Sequence, residues 1–323
     1  MIKQIMLSVC LYFFFSPILV AAGSHREFTD FLLALQQKSI NAGVDQLTAE
    51  RYIANIKIFK KATFNANLPQ PISLQDYIAQ TVPEITVSTA RALFQQHESQ
   101  IQLLSQRYQV QPRFLMALWG LNARFGEQIG RFPGLSVLAS LAFEGDKEAF
   151  YTDEFIAALK LIEQKKMTED SLRSSSTGAM GQMQMMPSQL LMYSVDANND
   201  GTIDVWNSLE DAFASAANML HQQGWQYDSI WGRQVKITTT MLDPNQLGLG
   251  FRHPFIWWQD YGVRRFNGSD LPQRNDMNVS LIAPNGQKGR FYLVYDNFRL
   301  LHQFSATLYD TLALTYLSEK IKQ

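Results

Sequence analysis

A single cysteine, Cys10, occurs in 323 residues, so the chain cannot form an internal disulfide. Charge of one sign is missing as well: 28 basic and 29 acidic residues leave a formal net charge of −1. Non-specific nucleic-acid binding needs a strong basic excess, so no nucleic-acid partner is expected. A neutral polymer such as a glycan escapes that exclusion. The five histidines (His25, His97, His221, His253 and His302) show neither metal-ligand spacing nor a paired nucleophile. No phosphate loop, serine-hydrolase elbow or internal repeat is present. What remains, 46% hydrophobic and 18% charged, is ordinary globular composition at a length that allows one large domain or two.

The amino terminus has the pattern of an export signal over residues 1–22. Lys3 gives a positive start, Ile5 to Val20 is almost wholly apolar, and Val20-Ala21-Ala22 supplies small residues for cleavage. A retained membrane anchor is the alternative, against which Pro17 and the small-residue exit speak. Cys10 lies too early, after too large a residue (Val9), for lipid attachment. Cleavage would leave no thiol, which suits an oxidising compartment, and a bacterial periplasm fits best.

Beyond the signal the pattern is helical. Phe31, Leu32 and Leu35 space a helix over 28–38, Thr48 begins a short one, and 65–71 reads as an Asn/Pro loop. One long amphipathic helix is predicted over Thr86 to Tyr108, with another from Pro112. Helical spacing continues over Glu154 to Lys165. Gly178 and Gly181 suggest a tight backbone path with close neighbours, and Pro187 opens a short helix to Tyr193. Ser208 with Asp211 resembles a capping box whose helix ends near Gly224. From Trp225 to about Phe304 the texture is β-like, with strands at 235–241 and 291–295. Leu308 to Ile321 returns to helix. The expected class is therefore α+β, mainly α. Its expected layout is a helical segment over 23–76, a helical domain over 77–224, a β-rich insertion over 225–304 and a closing helix over 305–323.

Within the Pro112 helix, Leu115, Leu118, Asn122 and Phe125 recur at helical spacing, so position 122 is predicted to face inward. Several stretches in order carry a family likeness: Arg107-Tyr108-Gln109-Val110-Gln111-Pro112, Gly120-Leu121-Asn122-Ala123-Arg124-Phe125-Gly126, Ser175 through Ser188, Asp196 to Trp206, Gly262-Val263-Arg264-Arg265 and Asp296-Asn297-Phe298-Arg299. Together they resemble the B family of lytic murein transglycosylases, from about Tyr77 to the C terminus. The resemblance implies a goose-lysozyme-like, lysozyme-like α domain and peptidoglycan glycan strands as substrate. It also implies a single Glu that first protonates the glycosidic oxygen and then acts as base. Asn122 stands where that Glu is expected. A Glu among apolar neighbours could act as general acid near neutral pH, whereas an amide has no proton to give. General acid–base catalysis is worth about 10²–10⁴-fold.

The resemblance also places Tyr77, Ser175 and Gln184 at sugar-binding or acid-supporting positions. Lys147, in Asp146-Lys147, falls where the family has an Arg pair, making it a fourth substrate-binding candidate. A late Asn-Arg-Ser becomes Ser305-Ala306-Thr307, and an aromatic site becomes Asp310. Glu127, Glu144 and Glu154 are conceivable substitute acids, but charged residues usually stay exposed, and surface positions are expected for all three. Asn122 itself reads either as a buried amide with backbone partners or as an amide that still bonds a sugar.

Asp196, Asn198, Asp200, Thr202, Asp204 and Asn207 follow the oxygen-ligand spacing of a calcium loop, with Gly201 at the sharp turn. Asn207 replaces the usual bidentate Glu, so a weak structural calcium is expected, with a metal-free polar turn as the alternative. No other cofactor is required. The Met cluster at 180, 183, 185 and 186 is expected to pack core, and Trp257-Trp258 to pack rather than stack on sugars. The sequence thus predicts a periplasmic protein that engages peptidoglycan with cleavage absent or reduced. An active enzyme with a displaced acid, or a scaffold for other cell-envelope proteins, are the alternatives.

Overall fold

The computed structural model describes residues 18–60, 73–164, 166–238, 243–274 and 276–322, with side chains from Glu27 onward. The cleavable-signal expectation falls mostly outside the described residues, as does the 65–71 loop. Residues 18–22 belong to the first helix. Among the described residues, no helix is long and apolar enough to cross a membrane.

The helices are α1 (Ile18–Asn41), α2 (Gln46–Ile53), α3 (Leu74–Thr81), α4 (Glu84–Gln96), α5 (Glu98–Tyr108), α6 (Pro112–Ala123), α7 (Gly134–Glu144), α8 (Glu148–Glu163), α9 (Pro187–Tyr193), α10 (Leu209–Gln222), α11 (Phe255–Asp260), α12 (Asp296–His302) and α13 (Leu308–Lys322). The strands are β1 (Phe132–Pro133), β2 (Arg173–Ser174), β3 (Gly232–Ile237), β4 (His253–Pro254), β5 (Val263–Arg265), β6 (Asn278–Ile282) and β7 (Phe291–Val294). β1 and β2 form a small antiparallel pair. The other five make an antiparallel sheet in the order β4-β6-β7-β3-β5. The protein is mainly α with one small sheet, as its sequence predicts.

Local chemistry sets the helix starts. Ser73 and Ser208 accept the N–H of Asp76 and Asp211 at 3.1 and 3.2 Å, and Pro112 and Pro187 fill first turns. The predicted helix over 86–108 is two helices. His97 (φ −106°, ψ 14°) closes α4 and opens α5. Val87, Ala90, Ile101, Ser105 and Tyr108 stay buried across the break at helical spacing, so periodicity alone cannot detect it. The predicted α6 stripe also overruns its helix, which stops at Ala123 before Phe125. The β-like stretch after Trp225 contains α11 and α12, and β3 covers the start of the expected 235–241 strand, whose residues 239–241 lie outside the described residues.

Alternation along the strands gives the sheet two buried faces. Val279, Leu281 and Leu293 pack with Phe255 and Trp258, whose indole N–H donates to the Val279 carbonyl at 2.9 Å. Ile282, Tyr292 and Val294 pack on the opposite side with Leu74 of α3, Phe298 of α12 and Leu312 of α13. Each large apolar side chain fully buried this way is worth about 1.5–3 kcal/mol. α13 then packs on α6, α3 and α4, returning the chain end to the helical core.

Candidate functional site

At the C-terminal end of α6 the backbone takes three successive left-handed turns: Arg124 (φ 46°), Phe125 (54°) and Gly126 (97°). Such conformations are costly outside glycine, so packing must hold them. The Phe125 ring folds back over Gly120, where a Cβ would lie 2.6 Å from it, and meets Trp119 edge-on at 5.6 Å. Trp119 Nε1 donates to Gln182 Oε1 at 2.8 Å, Gln182 Nε2 to the Trp206 carbonyl at 2.8 Å, and Trp206 Nε1 to the Arg173 carbonyl at 2.8 Å. This buried relay ties α6 to the 173–189 segment. In that segment the tight glycine path is present: a Cβ on Gly178 would strike Leu138, and one on Gly181 would strike Val205, each at 2.7 Å.

The elements so fixed enclose a groove of about 450 Å³. Leu121 and Asn122 of α6 form its floor with Tyr77 and Thr81 of α3. Phe150 and Tyr151 of α8, Thr177, Ala179, Gln184, Met186, Gln189, residues 303–306, Asp310 and Leu314 complete the walls. Asn122 is half-buried among polar as well as apolar neighbours, and its Nδ2 donates to the Met183 carbonyl at 3.4 Å. Gln184 reaches the groove through a left-handed backbone (φ 51°), with its amide donating to the Gly181 carbonyl at 2.9 Å. Met180, Met183 and Met185 pack core, while Met186 lines the groove.

Of the substrate-binding candidates, the structure brings Tyr77 and Gln184 together with Asn122. Ser175 is absent from the lining and reaches the groove through Thr177, whose hydroxyl is 2.9 Å from its own. Lys147 is exposed at the N-cap of α8, one turn before Phe150, and does not line the groove.

Among the described residues, Asp310 is the one carboxylate in the lining. Tyr77 donates its hydroxyl to Asp310 Oδ1, while the Thr307 N–H and hydroxyl both donate to Oδ2 at 2.9 Å. Burial, followed by this bond to Asp310, pushes the Tyr77 phenol up to about 12, so it stays a neutral donor. Thr307 in turn accepts the Asp310 N–H at 3.2 Å, which completes a reciprocal cap on α13. That Thr-x-x-Asp signature is visible in the sequence and could have located this residue.

The three other acids part company. Glu127 and Glu144 are exposed, Glu127 on an adjoining recess with Arg124. Glu154 corrects the surface expectation, being only 4% exposed. Its oxygens accept the Ser188 N–H at 2.8 Å and hydroxyl at 2.7 Å, so it anchors the start of α9. Burial raises its carboxyl above the ordinary range, with the Ser188 bonds opposing. It adjoins Tyr151, whose phenol is raised first by its own burial and then by the Glu154 charge, but it does not line the groove. Trp257 stacks on both His253 at 3.9 Å and Tyr261 at 4.9 Å, so its ring is engaged in packing.

In the 196–207 loop, Asp196 accepts backbone N–H groups from Asp200 and Gly201, and Asp200 Oδ1 accepts the Thr202 N–H and hydroxyl. Asp204 caps Trp206 and Asn207. Buried Asp211 holds the loop from below by accepting the N–H groups of Ala197 and Asp204, each at 2.9 Å. Among the described residues, no three His, Cys, Asp or Glu side chains converge as a metal cage. The oxygen donors are those calcium prefers, but in this geometry they are turned to the loop's own N–H groups.

Comparison with known proteins adds the family. The Transglycosylase SLT domain matches residues 27–319. Membrane-bound lytic murein transglycosylase B of Escherichia coli (strain K12) is 25% identical over 241 residues, 73% of this chain and 63% of that protein. This chain thus spans under two thirds of that relative. SltB3 from Pseudomonas aeruginosa, solved in complex with NAG-NAM-pentapeptide, superposes with a TM-score of 0.78 at 29% identity, covering 91% of this chain and 79% of SltB3. The Escherichia coli lytic transglycosylase Slt35 in complex with bulgecin A shares the fold, with a TM-score of 0.75 at 21% identity over 90% of this chain and 92% of Slt35. By its matched residues and its architecture, the chain belongs to the lytic murein transglycosylase family.

Proposed function

We propose that this protein binds peptidoglycan glycan strands in the groove at Asn122 and cleaves them weakly or not at all. The observation that carries the reading is the pairing of an amide on the α6 floor with a lining whose one carboxylate among the described residues, Asp310, is committed to three hydrogen bonds. Among the described residues, no group there is placed to give up a proton and take it back. The SltB3 complex with NAG-NAM-pentapeptide supports a glycan as the ligand. Peptidoglycan as ligand implies the periplasm, in keeping with the apolar 5–20 run and its small-residue exit. Weak calcium binding by Asp196, Asn198, Asp200, Thr202, Asp204 and Asn207 is part of the same reading; the ion would brace the loop and take no part in proton transfer.

Incubating the purified protein with intact sacculi tests this directly. The expected result is retention on the insoluble glycan with little or no release of anhydro-muropeptides. Rapid release would overturn the impaired reading, and the variant D310N would then ask whether Asp310 is the displaced acid. Failure to be retained would instead favour a scaffold for other envelope proteins.

A further inference from the structure

The groove has an unbalanced charge. Among the described residues, its lining contains no lysine, arginine or histidine, and Asp310 is its single charged side chain. Tyr77 and Tyr151 both have phenols shifted upward, so neither adds charge at neutral pH. Nearby His302 is held down by burial, and its Nδ1 is engaged with the Thr311 hydroxyl at 2.7 Å. Arg124 lies on the adjoining recess together with Glu127, not on the groove.

A carboxylate has about four acceptor sites. Three of them are taken at Asp310, by Tyr77 on Oδ1 and by the Thr307 N–H and hydroxyl on Oδ2. One site on Oδ1 is left over, on a carboxylate whose orientation is already fixed from two elements. An anionic substituent on a bound sugar would find no cation among the described lining residues, whereas an ammonium group would find a pre-oriented partner.

We propose that the groove prefers glycan strands containing de-N-acetylated glucosamine, whose free amine, once protonated, pairs with Asp310. The inference rests on the glycan-binding reading and adds a substrate class to it. Calorimetric titration of the full chain, at mildly acidic pH and low salt, would compare an N-acetylglucosamine tetramer with the same tetramer carrying free amines. The amine-bearing tetramer is expected to bind about three- to tenfold tighter, the range for a partly exposed charge-assisted bond. D310N should bring the two ligands within about twofold of each other, while T307A, which keeps the charge and removes the cap, should retain the preference. On the native chain, about 1 M salt should erase it, because the Debye length there is about 3 Å. Equal or weaker binding of the amine-bearing tetramer overturns this inference and leaves glycan binding standing. A preference that survives D310N overturns the role of Asp310. If neither tetramer binds, the glycan reading itself falls.

Discussion

Asn122 concentrates the chemistry of this protein into one atom pair. Its Nδ2 sits 3.4 Å from the Met183 carbonyl, an arrangement that suits a donor. A glutamic acid at 122 could make that bond only while protonated, and the Asp310 charge on the same groove would further disfavour its ionised form. Both effects push toward a carboxyl that holds its proton near neutral pH. The variant N122E is therefore expected to release anhydro-muropeptides from sacculi about 100-fold faster than the native chain, the lower end of what an acid–base group contributes. A variant that folds and binds glycan as the native chain does, yet releases nothing, would show that more than the acid is missing. Gly120 supports the same end of α6. Alanine is ordinarily the better helix former by about 1 kcal/mol, but here its methyl would overlap the Phe125 ring that holds the turn.

Two elements carry their own titrations. α9 begins on the buried Glu154 carboxylate, whose proton affinity is raised above its ordinary value of 4.5, chiefly by burial. A raised value means the folded state binds more protons than the unfolded one in a window starting near 4.5 and ending at the folded value. Stability should fall as pH rises through that window and level off above it. E154Q removes this titration, so denaturation midpoints followed from acidic to neutral pH should drop more for the native chain than for the variant. Parallel curves would exclude the effect. In the 196–207 loop, a calcium ion would have to take carboxylate oxygens from backbone N–H groups. Affinity is then expected in the weak range of about 10⁻⁴–10⁻³ M. Thermal unfolding should shift upward only at about millimolar calcium, by about 1.4 kcal/mol at ten times the dissociation constant, and D200N should abolish the shift. No shift in the native chain would return the loop to a plain polar turn. Elements like these were partly legible in advance. Pro112, Pro187 and Ser208 announce their helices, and the spacing of Gly178 and Gly181 announces close packing. The burial of Glu154 is not legible, because average exposure says nothing of a single Ser188 partner 34 positions away. The break at His97 was hidden because it keeps the apolar stripe in register.

At the scale of the whole molecule, the groove is assembled from distant parts of the chain, and α13 closes it. The Tyr77–Asp310 bond joins residues 233 positions apart, a juxtaposition no local pattern announces. α13 also belongs to two cores at once. Leu314 and Leu317 pack with the helices, and Leu317 lies 3.3 Å from where a Gly120 Cβ would be. Leu312 packs with Ile282, Tyr292 and Val294 of the sheet and with Phe298 of α12. A helix shared in this way should couple the stability of the sheet to that of the groove floor. L312A removes a buried leucine that is 3% exposed, at an expected cost of about 2–5 kcal/mol. Hydrogen exchange should show protection lost in β6 and β7 and, through α13, in α6 as well, with thermal unfolding remaining a single transition at a lower midpoint. Loss confined to the strands, or a second transition appearing, would mean that sheet and groove are held independently.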